Sequence, residues 1–380
     1  MRESIRLGRI AGIRVGMNWS VLFIVALIWV GLSGARFPIE YPDESTITYV
    51  LAGAVAAIVF IVSLLAHELG HALLARRNGV EVEGITLWLL GGVARLKGQP
   101  RTPAAELRIS GVGPLVSLVL GGFFSLLAFA MAQYGTDGII IGLLAWLAIM
   151  NIALAIFNVI PAAPLDGGRI LRALLWMRSG DQTKAAITAS RVGKVFGFAL
   201  MGFALLAFVA TPRLDALWFG LIGWFIVTAA GSEERYARVT RALENVRVAQ
   251  VMNPQPMWVP AGASVSDVLY YVSRSGRSAF PVVDSQGRVT GLLTFNRLTQ
   301  VNPAESASLP VDLIACPRDQ LATAEPGTPL VELLSRPPDC SEGHVVVLND
   351  GRLVGIVSPS DIARTLQHPE FYQASGQTNV

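Results

Sequence analysis

The chain has 380 residues, of which 52% are hydrophobic and 15% are charged, and its mean hydropathy is +0.52. Ordinary soluble domains have about 25% charged residues, so this composition excludes a disordered chain and argues against a purely soluble protein. Residues 1–232 contain 18 basic and 12 acidic side chains, whereas residues 233–380 contain 12 and 15. An excess of basic residues in the apolar part is typical of the positive charges that orient a protein in a membrane. We therefore expect no nucleic-acid partner.

Six apolar runs predict six transmembrane helices. The first four are long enough, or nearly so, to cross a hydrocarbon layer of about 30 Å. The last two are shorter; we predict spans, with a re-entrant pair as the alternative. The runs are 17–33, 49–75, 109–132, 138–160, 195–210 and 216–230.

The basic residues predict the orientation of these spans. Arg2, Arg6, Arg9 and Arg14 precede the first run, and further basic residues follow the second and the fourth. Positive charge in short loops favours the cytoplasmic side. We therefore expect a multi-pass protein of the cell membrane with its N- and C-termini in the cytoplasm.

From about residue 246 the chain repeats itself at an offset of 64 residues, so that segment 291–294 matches 355–358. This repeat predicts two copies of one small α/β unit packed together. Cys316 and Cys340 are too few for a disulfide framework and are expected as small buried side chains. The expected domains are a membrane domain 1–232, a linker 233–245, two modules 246–307 and 308–367, and a tail 368–380.

The second apolar run contains His67-Glu68-Leu69-Gly70-His71. Positions i and i+4 share one face of a helix, so the two imidazoles can bind one metal ion with Glu68 beside it. An acidic residue in the middle of a membrane helix costs about 2.5–3.5 kcal/mol, which favours a functional role. The alternative is a structural polar cluster that binds neighbouring helices.

A catalytic zinc site usually has three protein ligands, and Asp166 is the best remaining candidate. Pro161 and Pro164 stop the fourth helix just before it. His67 lies about 27 Å along its helix from the outer surface, and the fourth run also travels inward, so both arrive at similar depth. The alternative is an ordinary helix stop with an acidic turn residue.

The pentad at 67–71, the segment from Asn158 to Asp166-Gly167 and the six-span layout resemble the site-2 protease family of intramembrane zinc metalloproteases, over about residues 5–232. The repeats resemble a pair of CBS modules, as in one bacterial branch of that family, over about residues 246–367. The resemblance implies a polytopic α-helical membrane domain with a small membrane-associated β element, followed by an α/β tandem CBS domain.

The resemblance also implies roles for individual residues. His67, His71 and Asp166 would bind one Zn²⁺, and Glu68 would be the general base. Asn158 would donate a hydrogen bond to the oxyanion, or else be a helix-packing amide.

Two further segments have structural interpretations. Residues 84–97 predict a strand or a re-entrant loop; the family has an edge strand here that captures an unwound substrate through main-chain hydrogen bonds. The alternative is an interfacial loop anchored by Trp88.

Gly111-Val112-Gly113-Pro114, with Ser117 and Gly121 following at four-residue steps, predicts helix packing through small residues.

CBS pairs commonly bind adenine nucleotides through a Gly-h-h-Ser/Thr-x-x-Asp segment, where h is apolar. The second copy contains this pattern with Ser358 and Asp361, whereas the first has Thr294 but Arg297 in the Asp position. The resemblance therefore implies one site for ATP or AMP that involves Ser358, Asp361 and Thr294. The alternative is a structural or dimerising pair without a ligand, and a homodimer through the CBS modules is possible in either case.

These features predict an intramembrane zinc endopeptidase. Its expected substrate is a single-span membrane-bound regulatory protein, such as an anti-sigma factor, cleaved in regulated intramembrane proteolysis that the CBS pair modulates by binding nucleotide. One alternative is a CBS-regulated membrane transporter or channel that uses the His/Glu/Asp cluster. Another is a catalytically silent scaffold.

Overall fold

The structure is a computed structural model that describes residues 4–88, 91–134, 138–211, 216–302, 304–334 and 340–367. The chain divides into two compact units, Met1–Ala237 and Arg238–Val380. The expected tail, 368–380, lies outside the described residues, as do Leu89 and Leu90 of the segment predicted as a strand.

In the described part of the first unit, six helical segments are long and apolar enough to cross a membrane, which confirms the predicted layout. The first consists of α1 (Ser20–Gly31), a π-helical turn (Leu32–Arg36) and α2 (Phe37–Glu40). The other spans are α3 (Thr46–Arg77), α4 (Pro103–Gln133), α5 (Ile139–Val159), α7 (Gln182–Ala210) and α8 (Ala216–Leu243), and the shorter α6 (Asp166–Ser179) precedes α7.

Small residues let the membrane helices pack closely. A Cβ atom at Gly121 of α4 would lie 2.6 Å from Ile152 Cγ1 and 3.2 Å from the carbonyl oxygen of Ala148, both on α5. The absence of a side chain therefore allows the two backbones to approach, as is usual where helices associate in lipid. Larger side chains, including Phe37 and Trp146, fill a core between α2, α3 and α5.

The membrane unit also contains a four-stranded sheet in the order β1-β2-β3-β4. The strands are β1 (Ile5–Ile10), β2 (Ile13–Met17), β3 (Glu81–Trp88) and β4 (Gly91–Lys97). β2 pairs parallel with β3, and β3 pairs antiparallel with β4, which is an edge of the sheet. The strand predicted within 84–97 is therefore present. β1 and β2 were not predicted, although buried Ile13 and Val15 alternate with exposed Arg14. Ile13 packs with Ile85 and Leu87 of β3.

The second unit repeats a strand, turn, strand and helix twice, as predicted. The first copy has α9 (Val248–Val251), β5 (Val259–Pro260), α10 (Val265–Ser275), β6 (Ala279–Val283), β7 (Val289–Thr294) and α11 (Phe295–Thr299). The second has β8 (Cys316–Pro317), β9 (Thr323–Ala324), α12 (Leu330–Leu334), β10 (Val345–Asn349), β11 (Arg352–Val357) and α13 (Pro359–Gln367). The expected fold class, a polytopic helical domain with a small β element and an α/β tandem, is confirmed.

Each copy contributes to the core of the other. Val248 and Val251 pack with Val345 and Val357 of the second copy, whereas Val311 packs in the core of the first. The segment expected as a linker, 233–245, is helical as far as Leu243, which is itself buried in the second core. The sequence repeat and the packed cores therefore follow different boundaries.

Cys316 and Cys340 form a disulfide, with their Cα atoms 5.4 Å apart. Cys316 is fully buried, as expected, whereas Cys340 is only partly buried, and the bond between them was not predicted. The cysteines are separated by 24 residues, and only the packing of one small apolar cluster brings them together. No local sequence pattern predicts this pairing.

We expect Gly121→Ala to destabilise the detergent-solubilised chain by about 1–3 kcal/mol, because the added methyl group overpacks the contact with Ile152. Gly122→Ala is the matched control, since a Cβ atom there meets nothing within 4 Å. The control should be neutral, or stabilising by up to about 1 kcal/mol through helix propensity. The free energy of unfolding from denaturant titration measures both, and equal values would contradict the packing described above.

Candidate metal centre

Three ligand atoms from two helices meet inside the membrane unit. His67 and His71 lie one turn apart on α3, and their Nε2 atoms are 3.2 Å apart. Asp166 is the first residue of α6, and its Oδ2 atom lies 3.2 Å from each of these nitrogens. Both histidines are buried and the Asp166 side chain is 16% exposed. The structure therefore brings together the three residues that the sequence predicted as ligands.

The chemistry of these three atoms fits a bound cation. His71 Nδ1 lies 2.6 Å from the carbonyl oxygen of Ile109, which only accepts hydrogen bonds, so Nδ1 carries a proton. In a neutral imidazole Nε2 then presents a lone pair to the Asp166 carboxylate. Tetrahedral zinc with ligands at about 2.0–2.2 Å requires ligand atoms about 3.3–3.6 Å apart, close to the separations in this cluster.

Gly113 on α4 keeps the space beside these ligands open. A Cβ atom at this position would overlap the His71 imidazole and lie 2.6 Å from His67 Nε2. The space beside both coordinating nitrogens therefore exists only because residue 113 has no side chain. The donor set and this space together fit a zinc ion held by His67, His71 and Asp166.

α4 also orients both imidazoles. Ser117 Oγ lies 2.9 Å from His67 Nδ1, and Ile109 holds His71 through its carbonyl group. Hydrogen bonds to the second ring nitrogen fix the tautomer and the ring orientation of metal-binding histidines. From the sequence, Gly113 and Ser117 were predicted only to pack helices. Their four-residue spacing indicated one helix face, but not that the face meets the histidines.

A tight turn places Asp166. As the prolines predict, α5 ends at Val159, and the Ala163–Pro164 peptide bond in the following turn is cis. A Cβ atom at Gly168 would lie 2.6 Å from Ala163 Cα. Glycine is thus required where the start of α6 folds back against the turn.

A buried ion pair fixes α6 against α4. Arg172 Nε donates to Glu106 Oε1 at 2.5 Å, and Glu106 is only 1% exposed. Arg172 Nη1 also lies 3.5 Å from Glu233 Oε1 on α8. Removing one partner of a buried pair leaves an uncompensated charge, so this contact holds the helix of Asp166 beside the helix that orients the histidines. No sequence pattern predicted this ion pair.

Glu68 lies next to His67 and against the edge strand. A Cβ atom at Gly92 of β4 would lie 2.7 Å from Glu68 Cδ, so the carboxylate packs on the bare backbone of this strand. Within the described ranges, the Glu68 side chain makes no hydrogen bond to another residue. An unengaged carboxylate therefore lies between the ligand helix and the sheet edge.

The other predicted site residues have local partners. The Asn158 amide donates to the carbonyl oxygen of Leu154 at 3.1 Å, and among the described residues no hydrogen bond joins it to the three ligands. Thr294 caps α11 and donates to Glu342 Oε1 at 3.1 Å. Ser358 Oγ donates to Asp361 Oδ2 at 2.5 Å at the start of α13. Their roles in catalysis or nucleotide binding stay predictions.

We expect Gly113→Ala to abolish stoichiometric zinc binding, because the methyl group occupies the space beside the ligand nitrogens. Gly111→Ala on the same helix is the control, since a Cβ atom there meets nothing within 4 Å, and it should retain one zinc per chain. Elemental analysis of detergent-purified protein measures both. Full zinc content in Gly113→Ala would contradict the assigned site.

We expect Ser117→Ala to weaken zinc affinity about 10- to 100-fold, because His67 loses the partner of Nδ1. Ser125→Ala is the control: its hydroxyl donates to the carbonyl oxygen of Gly121 within α4. Competition with a chromogenic chelator gives both affinities. Equal affinities would show that Ser117 does not support the histidine.

Comparisons with known proteins show the family to which the chain is related. The family model of Peptidase family M50 matches residues 55–137 and 132–200, and that of the CBS domain matches residues 248–301 and 312–368. The chain is 42% identical to zinc metalloprotease Rip3 of Mycobacterium tuberculosis over 368 residues, which cover 96% of this chain and 93% of that protein. It is 31% identical to zinc metalloprotease MJ0392 of Methanocaldococcus jannaschii, over 96% of this chain and 97% of that protein.

Among solved structures, the site-2 protease from Methanocaldococcus jannaschii aligns with 61% of this chain and 95% of its own, at 31% identity and a TM-score of 0.42. The sequence relatives extend over almost the whole chain, across both the membrane unit and the repeats. The chain therefore belongs to peptidase family M50, the site-2 proteases, and is a membrane zinc metalloprotease with a pair of CBS domains.

Proposed function

We propose that this protease cleaves transmembrane segments of single-span membrane proteins, using His67, His71 and Asp166 to hold Zn²⁺ and Glu68 as the general base. The observation that carries the proposal is the convergence of three ligand atoms at 3.2 Å beside an unengaged carboxylate. When bound, zinc supplies a Lewis acid that acidifies water and polarises a carbonyl group. The family assignment disfavours the transporter and channel alternatives, and the presence of all four residues, His67, Glu68, His71 and Asp166, disfavours a catalytically silent scaffold.

Glu68 is suited to move a proton twice. A carboxylate with no competing hydrogen bond can accept a proton from the attacking water and later deliver it to the departing amine. Its neighbour His67 is fixed by Ser117, so the backbone that carries Glu68 is fixed as well. The proton acceptor is therefore held in place before a substrate arrives.

The edge strand supports a substrate in an extended conformation. β4 pairs with β3 on one side only in the described sheet, so its other side can bind a further strand. Main-chain hydrogen bonds to an added strand need no particular side chains. Gly92 lets the backbone of β4 lie directly against Glu68, which would bring an added strand close to the proposed general base.

Asn158 is the proposed hydrogen-bond donor to the oxyanion. Its amide now donates to the carbonyl oxygen of Leu154, so the role requires rotation of the side chain away from that partner. Exchanging the hydrogen bond to Leu154 for one to a negatively charged oxyanion costs little free energy, because hydrogen bonds to charged acceptors are stronger. The position of Asn158, one residue before the end of α5, supports this role.

We also propose a regulatory setting for the cleavage. The substrate would be a membrane-bound regulatory protein, such as an anti-sigma factor, and the membrane domain 1–232 would have its basic loops and both termini in the cytoplasm. The CBS pair would then meet ATP or AMP, with Ser358, Asp361 and Thr294 as the predicted contacts, and could form a homodimer. The basic residues before the first span support this orientation.

We expect Glu68→Gln to reduce cleavage of a co-expressed single-span substrate by about 10²- to 10⁴-fold, because the amide cannot accept the proton. Zinc content should be unchanged, since Glu68 is not one of the three ligands. Glu40→Gln, at an exposed position of α2, is the control and should cleave normally. Identical fragments from the wild type and Glu68→Gln, both fully loaded with zinc, would refute the proposed mechanism.

A further inference from the structure

The disulfide between Cys316 and Cys340 joins the two sheets of the second unit. Cys316 lies on β8, which begins the second copy in sequence but pairs with β7 of the first, with Leu292 opposite Cys316. Cys340 begins the turn at 340–343, which leads through His344 into β10 of the other sheet. The bond is therefore a covalent tie between the sheet of the first copy and a turn of the second.

The turn that Cys340 begins has an unfavourable backbone conformation. Glu342 and Gly343 are both left-handed, with φ angles of 53° and 79°. Glycine adopts such angles freely, but a glutamate does so only where surrounding contacts compensate for the strain. The conformation of this turn therefore depends on the groups that anchor it.

Hydrogen bonds from the first copy anchor the turn at the protein surface. Ser278 Oγ lies 2.8 Å from His344 Nε2. Glu342 Oε1 accepts from Thr294 Oγ1 and from Asn296 Nδ2, each at 3.1 Å. The side chains of Ser278, Asn296 and Glu342 are exposed, so water competes for these bonds and each stabilises the turn only modestly. The disulfide adds an anchor with which water does not compete.

The two sulfur atoms differ in their accessibility to a reductant. Cys316 is fully buried, whereas Cys340 is only partly buried, so a thiolate reaches Cys340 first. The sulfur of a dithiol bonds to Cys340 Sγ, and Cys316 leaves with the electron pair and takes up a proton. The second thiol of the reductant then attacks the mixed disulfide, which frees Cys340 as a thiol and leaves the reductant as a disulfide.

The site also accommodates the two thiols that reduction produces. Both sulfur atoms lie 3.9 Å from the carbonyl oxygen of Gln320, which can accept from a weak S–H donor. Both cysteines belong to an apolar cluster with Val289 and Val346, and a free cysteine packs as a small hydrophobic residue. The oxidised and the reduced chain can therefore both fold, as a reversible switch requires.

We propose that Cys316 and Cys340 form a redox switch, in which a cellular dithiol reduces the disulfide and thereby frees the turn at 340–343 from the first copy. Disulfides in cytosolic proteins are rare and usually transient, catalytic or redox-sensing. The inference rests on the proposed cytoplasmic orientation of the second unit, because that compartment contains the reductant. It does not depend on peptidase activity.

The test is to incubate the detergent-solubilised full chain, without denaturant, with thioredoxin and in glutathione buffers of increasing reduced fraction. Thiols are then labelled with a maleimide and counted by mass spectrometry. We expect the chain to change from no label to two labels, and to lose them again on reoxidation. Amide hydrogen exchange at 340–345 should become about ten-fold faster or more in the reduced chain.

The matched control is the double variant Cys316→Ala, Cys340→Ala. The chain has two cysteines in all, so this variant contains no thiol and should show the same hydrogen exchange in oxidising and reducing buffers. Its exchange at 340–345 should match that of the reduced wild type, because both lack the covalent anchor.

Three results would overturn the proposal. A bond that stays oxidised in both reductants until the chain is unfolded would be a purely structural disulfide. Equal hydrogen exchange at 340–345 in the two redox forms would show that the bond does not hold the turn. Labelling of these cysteines in intact cells by a membrane-impermeant maleimide would place the second unit outside the cytoplasm. None of these measurements involves substrate cleavage, so failure here is separate from failure of the proposed protease mechanism.

Discussion

The membrane unit is organised around one electrostatic constraint: three electron-donating atoms lie about 3 Å apart in a site that is almost closed to water. Two imidazole nitrogens and a carboxylate oxygen repel one another in this arrangement unless a proton or a metal cation lies among them. Contacts from neighbouring helices hold these three side chains in position. α4 supplies a hydroxyl for one ring, a carbonyl group for the other and a glycine where the ion needs space, while the Glu106–Arg172 pair holds α6 in register with α4.

The convergence of the three proposed ligands was predictable because each has a sequence signal that does not depend on knowing the fold. His67 and His71 have the spacing of one helical turn, and charged groups inside an apolar run stand out against their surroundings. Asp166 was predictable because the direction of its span and the rise per residue of a helix place it at about the depth of His67. Ser117 and Gly113 have no such signal, because small residues on a membrane helix are ordinary packing residues. Their role depends on which helix faces them.

The sheet and the repeats show the same limit. The segment of β1 and β2 was interpreted only through its arginines, as a signal of membrane orientation. Its alternating pattern is too short to predict strands by itself, and β2 is stabilised by pairing with β3. In the second unit the repeat predicted two equivalent modules. It did not predict that residues near Val248 complete the core of the later copy, or that Cys316 meets Cys340, since both depend on contacts between distant segments.

The proposed metal ligands lie far apart along the chain, since His71 and Asp166 are separated by 95 positions, and this has a consequence for biogenesis. During synthesis α3 enters the bilayer long before α6 exists, so the nascent chain holds two histidines and an acid but no complete coordination sphere. Arg172, which secures α6, arrives only six residues after Asp166 and must find Glu106 already buried. The proposed coordination sphere therefore closes only after α6 has joined the bundle.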